Sequence, residues 1–169
     1  MKSIFVRYTL ALLVAIFSNW FLFVLTPLTL YGSYFLLKTI YEVTLMGNVI
    51  IIGGSSFNII SACTALVAFI LLAVLVLTTR RMSLKERIKI FLIGSLIVYL
   101  ANILRIFVLV VVYMQFGEYY FDAVHLVFWH IVSTLFVAIT WIVLVEFYKI
   151  KSVPIYSDIK FILRYLGKQ

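Results

Sequence analysis

The chain has 169 residues, is 66% hydrophobic and 12% charged, and carries a net charge of +8. With a mean hydropathy of +1.21, it is excluded from the water-soluble class, and one membrane-embedded domain, residues 1–169, is the economical reading. The positive charge does not mark a nucleic-acid patch, because its distribution follows the loops between hydrophobic segments.

Lys2 and Arg7 precede the first hydrophobic run, Arg80, Arg81, Lys85, Arg87 and Lys89 share a middle loop, and Lys149, Lys151, Lys160, Arg164 and Lys168 form the tail. The other connections hold Lys38 against Glu42, Glu118 and Asp122. By the positive-inside rule, both termini and the middle loop are cytoplasmic and two connections lie outside.

In chain order, the first helix is expected over Ile4–Leu25, ending near Pro27. It has no convincing small-residue cleavage site and reads as a retained helix rather than a removed signal. Leu28–Met46 mixes apolar residues with Tyr31, Tyr34, Lys38, Tyr41 and Glu42, and reads as an interfacial helix or helix extension on the outer side. In Gly47–Ser61, two short β-prone runs flank Gly53-Gly54, the pattern of a hairpin; an irregular loop is the alternative. Such a hairpin must lie outside the hydrocarbon, which does not tolerate open sheet edges. The second helix is expected to begin at Cys63, with Ser61 as N-cap, and to end near Leu77. The third covers about Lys89–Tyr113, an outer loop follows over Gln115–Asp122, and the fourth runs over Val124–Phe147 with Trp129 and Trp141 inside it. Ile155–Leu166 forms a short helix on the inner membrane surface in this reading. The predicted fold is therefore an all-α integral membrane protein of about four transmembrane helices, with an interfacial helix and a short extracytoplasmic β-hairpin.

Three residues stand out chemically. Arg105 lies inside an apolar stretch, Phe91–Tyr113, long enough to cross a bilayer. A charge there costs from about 3 to over 10 kcal/mol unless protein or water receives it. Tyr113 marks the outer boundary about 12 Å further along the helix, and Arg105 leans away from it, so a buried polar cavity is favoured over escape to the headgroups. Asn102, three residues earlier, shares its face. Alternatively, Arg105 pins helices or binds a lipid headgroup. Cys63, the single cysteine, excludes an internal disulfide and a cysteine-rich zinc site. An inert small hydrophobe is its plain reading. In the first turn of a helix, however, it would meet backbone N–H groups and a positive dipole end, which favour thiolate and a nearby oxyanion. His125 is expected in the first turn of the fourth helix, where the helix end favours the neutral imidazole of a general base. Asp122 could orient it or remain a solvated loop carboxylate. His130 points about 140° away and serves another face. No shared face carries a metal-ligand set, so no metal is expected.

Three segments together carry a resemblance: Ile59-Ile-Ser-Ala-Cys63-Thr-Ala-Leu66, Ala101-Asn102-Ile-Leu-Arg105-Ile106 and His125-Leu-Val-Phe-Trp129. The chain resembles the exosortase/archaeosortase family of membrane-embedded cysteine transpeptidases, in which an Asn-x-x-Arg-Ile motif and a later histidine follow the cysteine. The resemblance implies that Cys63 is the nucleophile, Arg105 the essential arginine and His125 the third catalytic residue, a place that some members fill with arginine. Asn102, Asp122 and Trp129 are then the supporting or substrate-binding set. It further implies no cofactor and a cell-membrane enzyme with its site facing outside. The substrates would be secreted proteins ending in a short motif, a hydrophobic helix and a basic tail, and the acceptor a lipid. The tail Pro154–Lys160 is similar to those of small archaeal members, implying an archaeal source. The rival is a non-catalytic transporter subunit or assembly factor that binds a lipid or a partner helix through Arg105 and Asn102.

Overall fold

The computed structural model describes residues 2–79, 82–128 and 133–150. Helix α1 (Lys2–Ile16) leads through a 3-10 turn at Ser18–Phe21 into α2 (Leu22–Leu37). Three short strands follow: β1 (Val43–Met46), β2 (Val49–Ile52) and β3 (Ser55–Asn58). A second 3-10 turn at Ser61–Thr64 precedes α3 (Leu66–Thr78), α4 (Leu84–Phe116), α5 (Glu118–Val127) and α6 (Ser133–Phe147). The predicted inner-surface helix over Ile155–Leu166 lies outside the described residues.

Several boundaries differ from the sequence expectation. The first helix breaks at Phe17–Phe21, ahead of Pro27, and Pro27 sits inside α2. Proline removes one ladder bond and bends a helix without always ending it, and here α2 continues to Leu37. The expected interfacial segment is thus divided between α2 and β1. In place of a two-stranded hairpin there is a three-stranded antiparallel sheet in the order β1-β2-β3, with Leu45 opposite Ile50 and Ile50 opposite Phe57. Gly53 and Gly54 both have positive φ, 55° and 83°, the backbone of a tight hairpin turn whose twist matches its strands. The expected loop Gln115–Asp122 is a turn at Gly117 followed directly by α5.

Helix α4 has 33 residues and is about 50 Å long at 1.5 Å per residue. It starts with a capping box, Ser83 and Glu86 satisfying each other's backbone N–H groups. Its first half contributes Ile90 and Val98 to one apolar cluster with Leu72 and Val76 of α3 and Val137 and Trp141 of α6. Its second half contributes Ile106 and Val110 to another, with Leu30 and Leu37 of α2 and Ile50 and Ile52 of β2. Gly32 of α2 faces the Tyr99 hydroxyl, which donates to the Leu28 carbonyl at 3.0 Å. A Cβ at Gly32 would collide with that hydroxyl, so a larger residue there would have to displace Tyr99 from the crossing.

Ser18–Leu37 and Leu84–Phe116 are long and apolar enough to cross a membrane, whereas the apolar parts of α1, α3 and α6 are shorter. Leu92, Leu96, Leu100 and Leu104 stand exposed along one side of α4, a spacing that makes a continuous apolar stripe suited to lipid.

One end of the bundle is held by arginines. The last carbonyls of a helix lack intrahelical donors, and on α3 basic side chains supply them. Arg87 donates from Nη1 to the carbonyls of Val76 and Leu77, both at 2.6 Å, and from Nη2 to Thr79 at 2.7 Å. Arg7 of α1 donates to Thr78 at 2.8 Å. Lys89 lies over the Tyr148 ring, just after α6, at 5.1 Å. The start of α1, the end of α3, the start of α4 and the end of α6 therefore meet at one pole. Replacing Arg87 by Met should remove about 2 kcal/mol of stability, since bonds from a charged donor are among the stronger ones. Thermal unfolding in detergent would show a lowered midpoint for this variant and none for the exposed control Lys85→Met; equal midpoints would contradict the clamp.

Candidate active site

Asn102 and Arg105 fall where the two apolar clusters meet on α4, between Val98 and Ile106. The three-residue spacing puts both on one helical face. They are only 5% and 8% exposed, so each must find a partner inside the protein or be left costly. Asn102 finds one: its Nδ2 donates to the carbonyl oxygen of Cys63 at 2.9 Å.

Cys63 does not open α3, as the sequence suggested. It sits in the preceding 3-10 turn, where its N–H bonds the Ile60 carbonyl at 2.9 Å. Ser61 is no side-chain cap; instead its carbonyl accepts from Thr64 Oγ1 at 2.7 Å. Ala65 then turns the chain into α3 with φ 54°, ψ 29°. That left-handed backbone costs a non-glycine residue about 1 kcal/mol, and a strained turn beside a reactive side chain is a common mark of a functional site. The dipole argument for thiolate therefore loses its premise, because α3 begins three residues after the sulfur. Arg105 of α4 lies within electrostatic reach of Cys63. The Cys63 side chain is half-buried and rests on the cluster of Ile59, Ile106 and Val110.

Arg105 is the shared wall of two cavities. The smaller, about 240 Å³, lies between α3, α4 and α6 and is lined by Ala65, Ala101, Asn102, Arg105, Phe128 and Phe136 among others. The larger, about 520 Å³, reaches Asn19, Leu22, Ser61, Leu66 and Thr134 as well as Ala65 and Arg105. Its volume is within the usual range for small-molecule sites. Ala65, Asn19, Thr134 and Phe128 were not singled out from the sequence. Nothing in an alanine's identity announces a left-handed backbone, and an isolated serine-, threonine- or asparagine-sized polar residue carries no periodic signal.

His125 is placed differently from expectation. It lies well inside α5, which begins at Glu118, rather than in the first turn of its helix, so the positive helix end is not beside it. Its ring lies 5.4 Å from Phe121, which lies 5.8 Å from Tyr113, which lies 5.1 Å from Phe57 of β3. This run of aromatic contacts ties α5 to the sheet. His125 itself lines neither cavity, but Phe128, one helical turn further, lines the smaller one. Asp122 is exposed on α5 rather than in a loop. Trp129 and His130 lie outside the described residues.

Burying a guanidinium with Nε unpartnered among the described residues is costly, and apolar replacements of buried ionic groups often stabilise by about 1–4 kcal/mol. Arg105→Met should therefore keep or raise the unfolding midpoint while removing the polar layer. A large drop in midpoint would instead make Arg105 a structural pin.

The transmembrane exosortase family model matches residues 1–147. No curated protein and no solved structure matches the chain.

Proposed function

The chain belongs to the transmembrane exosortase family, and on that premise we propose that it is a cysteine transpeptidase that cuts C-terminal sorting signals from secreted proteins and passes the new C-terminus to an acceptor. Members of the family act on secreted proteins with such signals. The observation that carries the reading for this chain is the bond from Asn102 to the Cys63 carbonyl, which holds the sulfur-bearing turn against the layer containing Arg105.

In the proposed reaction the Cys63 sulfur attacks the scissile carbonyl carbon, forming a C–S bond. The carbonyl oxygen gains negative charge, which Arg105 stabilises by donating N–H groups in a water-poor layer where such bonds are strong. The C–N bond then breaks, and His125 delivers to the leaving amine the proton taken from the thiol. An acceptor amine or hydroxyl attacks the thioester, giving its proton to His125, which passes it to the Cys63 sulfur as the C–S bond breaks and the thiol is restored. A lipid acceptor suits a site embedded among apolar walls. Asp122 and Trp129, flanking His125, are proposed to support it.

The proposed topology has both termini and residues 80–89 cytoplasmic, with four crossings and the β-sheet outside. The arginine-held pole supports it: Arg7, Arg87 and Lys89 gather there, and clustered basic residues mark the cytoplasmic side. Reporter fusions at Ser83 and Gly117 should give opposite signals; the same signal from both would contradict this topology.

Cys63→Ala and Cys63→Ser should each abolish processing of a secreted protein that ends in a motif, a hydrophobic helix and a basic tail, with the enzyme still present in the membrane. Serine is much less acidic than cysteine, and neither substitution should cost more than about 1 kcal/mol of stability. Normal processing by the alanine variant would reduce Cys63 to packing.

A further inference from the structure

The side-chain amide of Asn102 is only half used. Because the Cys63 carbonyl can only accept, the end of the amide facing it is the NH₂. Oδ1 is thereby turned elsewhere, buried and without a partner among the described residues. One turn on, Arg105 Nε is likewise buried and unpartnered. Both side chains line the cavity of about 240 Å³, whose remaining walls include Ala65, Ala101, Leu104 and Phe128. An orphan acceptor and an orphan donor thus stand on neighbouring positions of a single helical face, on two residues that line an otherwise apolar cavity.

That pairing selects its ligand. A phosphate or carboxylate would satisfy Arg105 but would set oxygen against oxygen at Asn102. A simple hydrocarbon would leave both groups unpaired. A group with a donor beside an acceptor satisfies both, and extended polypeptide has it: the N–H and C=O of one residue point to the same side, as in an antiparallel ladder. We propose that this cavity is a peptide-backbone subsite, in which Asn102 Oδ1 accepts a substrate N–H while Arg105 donates to the carbonyl beside it. Asn102 then has two roles, positioning the Cys63 turn through Nδ2 and binding substrate backbone through Oδ1. The subsite rests on the reading of Cys63 as the nucleophile and adds what that reading leaves open, namely how the peptide is held against it.

The lone cysteine allows a test that needs no sorting signal. Chloroacetamide and chloroacetone both alkylate a thiol; they are nearly the same size and share a carbonyl, but only the amide carries N–H. The rates of both reagents at Cys63 of the full chain in detergent would be read by intact mass and divided by their rates with glutathione. The normalised preference for chloroacetamide should be about two- to tenfold in the wild type, the range expected for one neutral hydrogen bond. In Asn102→Leu it should fall to the glutathione value, with both reagents still reacting. A wild type with no preference over glutathione, or a leucine variant that keeps the wild-type preference, would overturn the proposal. Should the leucine variant fail to fold, the wild-type comparison decides alone. Alkylation is independent of turnover, so normal processing by Cys63→Ala would defeat the transpeptidase reading without bearing on this selectivity.

Discussion

Everything near the candidate site depends on a polar layer of two residues inside an apolar helix. Asn102 and Arg105 interrupt α4 between a cluster formed with α3 and α6 and one formed with α2 and the sheet. Neither residue can reach bulk solvent freely, so the chain around them must supply partners or space. It does both: the Cys63 carbonyl is brought to Asn102, and cavities open on two sides of Arg105. A layer built for stability alone would be closed by apolar side chains, since a buried ionic group seldom outperforms them. Asn102 Oδ1 and Arg105 Nε remain buried without a partner among the described residues.

The rest of the fold contrasts with that layer. At the opposite pole, Arg7 and Arg87 are also drawn inward, but their donors are spent on the last carbonyls of α3. Those arginines lock α1, α3 and α4 together, so the end of the bundle remote from Cys63 is rigid. With α3 anchored at its C-terminus and strained at Ala65 on its N-terminal side, the Cys63 turn is held from both directions. The sheet closes the assembly above α4: Ile50 and Ile52 bury one face of β2 against Ile106 and Val110, and Phe57, Tyr113 and Phe121 carry that packing across to α5 and His125. Cys63 itself packs on the cluster that α2, β2 and α4 form.

The legible parts of this arrangement were those written in local chemistry. Membrane residence followed from sustained hydropathy, and the importance of Arg105 followed from the cost of a charge in hydrocarbon. The glycine pair at 53–54 marked a reversal because positive φ is cheap only for glycine. Helix ends were less legible. Pro27 looked like a terminator but lies inside α2, since neighbouring packing outweighs one lost hydrogen bond. The run Val124–Phe147 looked like the fourth helix, yet the helix that carries His125 already begins at Glu118.

By itself, the sequence determined that this chain lives in a membrane, and it singled out one thiol, one guanidinium within an apolar stretch and one histidine as the candidates for chemistry. These are properties of composition and short spacing, summed along the chain. The tertiary structure alone decided that Cys63 sits ahead of its helix, that His125 lies inside a helix rather than at its start, and that one end of the Asn102 amide is unpaired among the described residues. Each of these is settled by contacts between distant segments, such as the bond from Asn102 to a carbonyl 39 residues away. Local propensity carries no information about which distant group will fill a hydrogen bond, so only the folded chain could assign it.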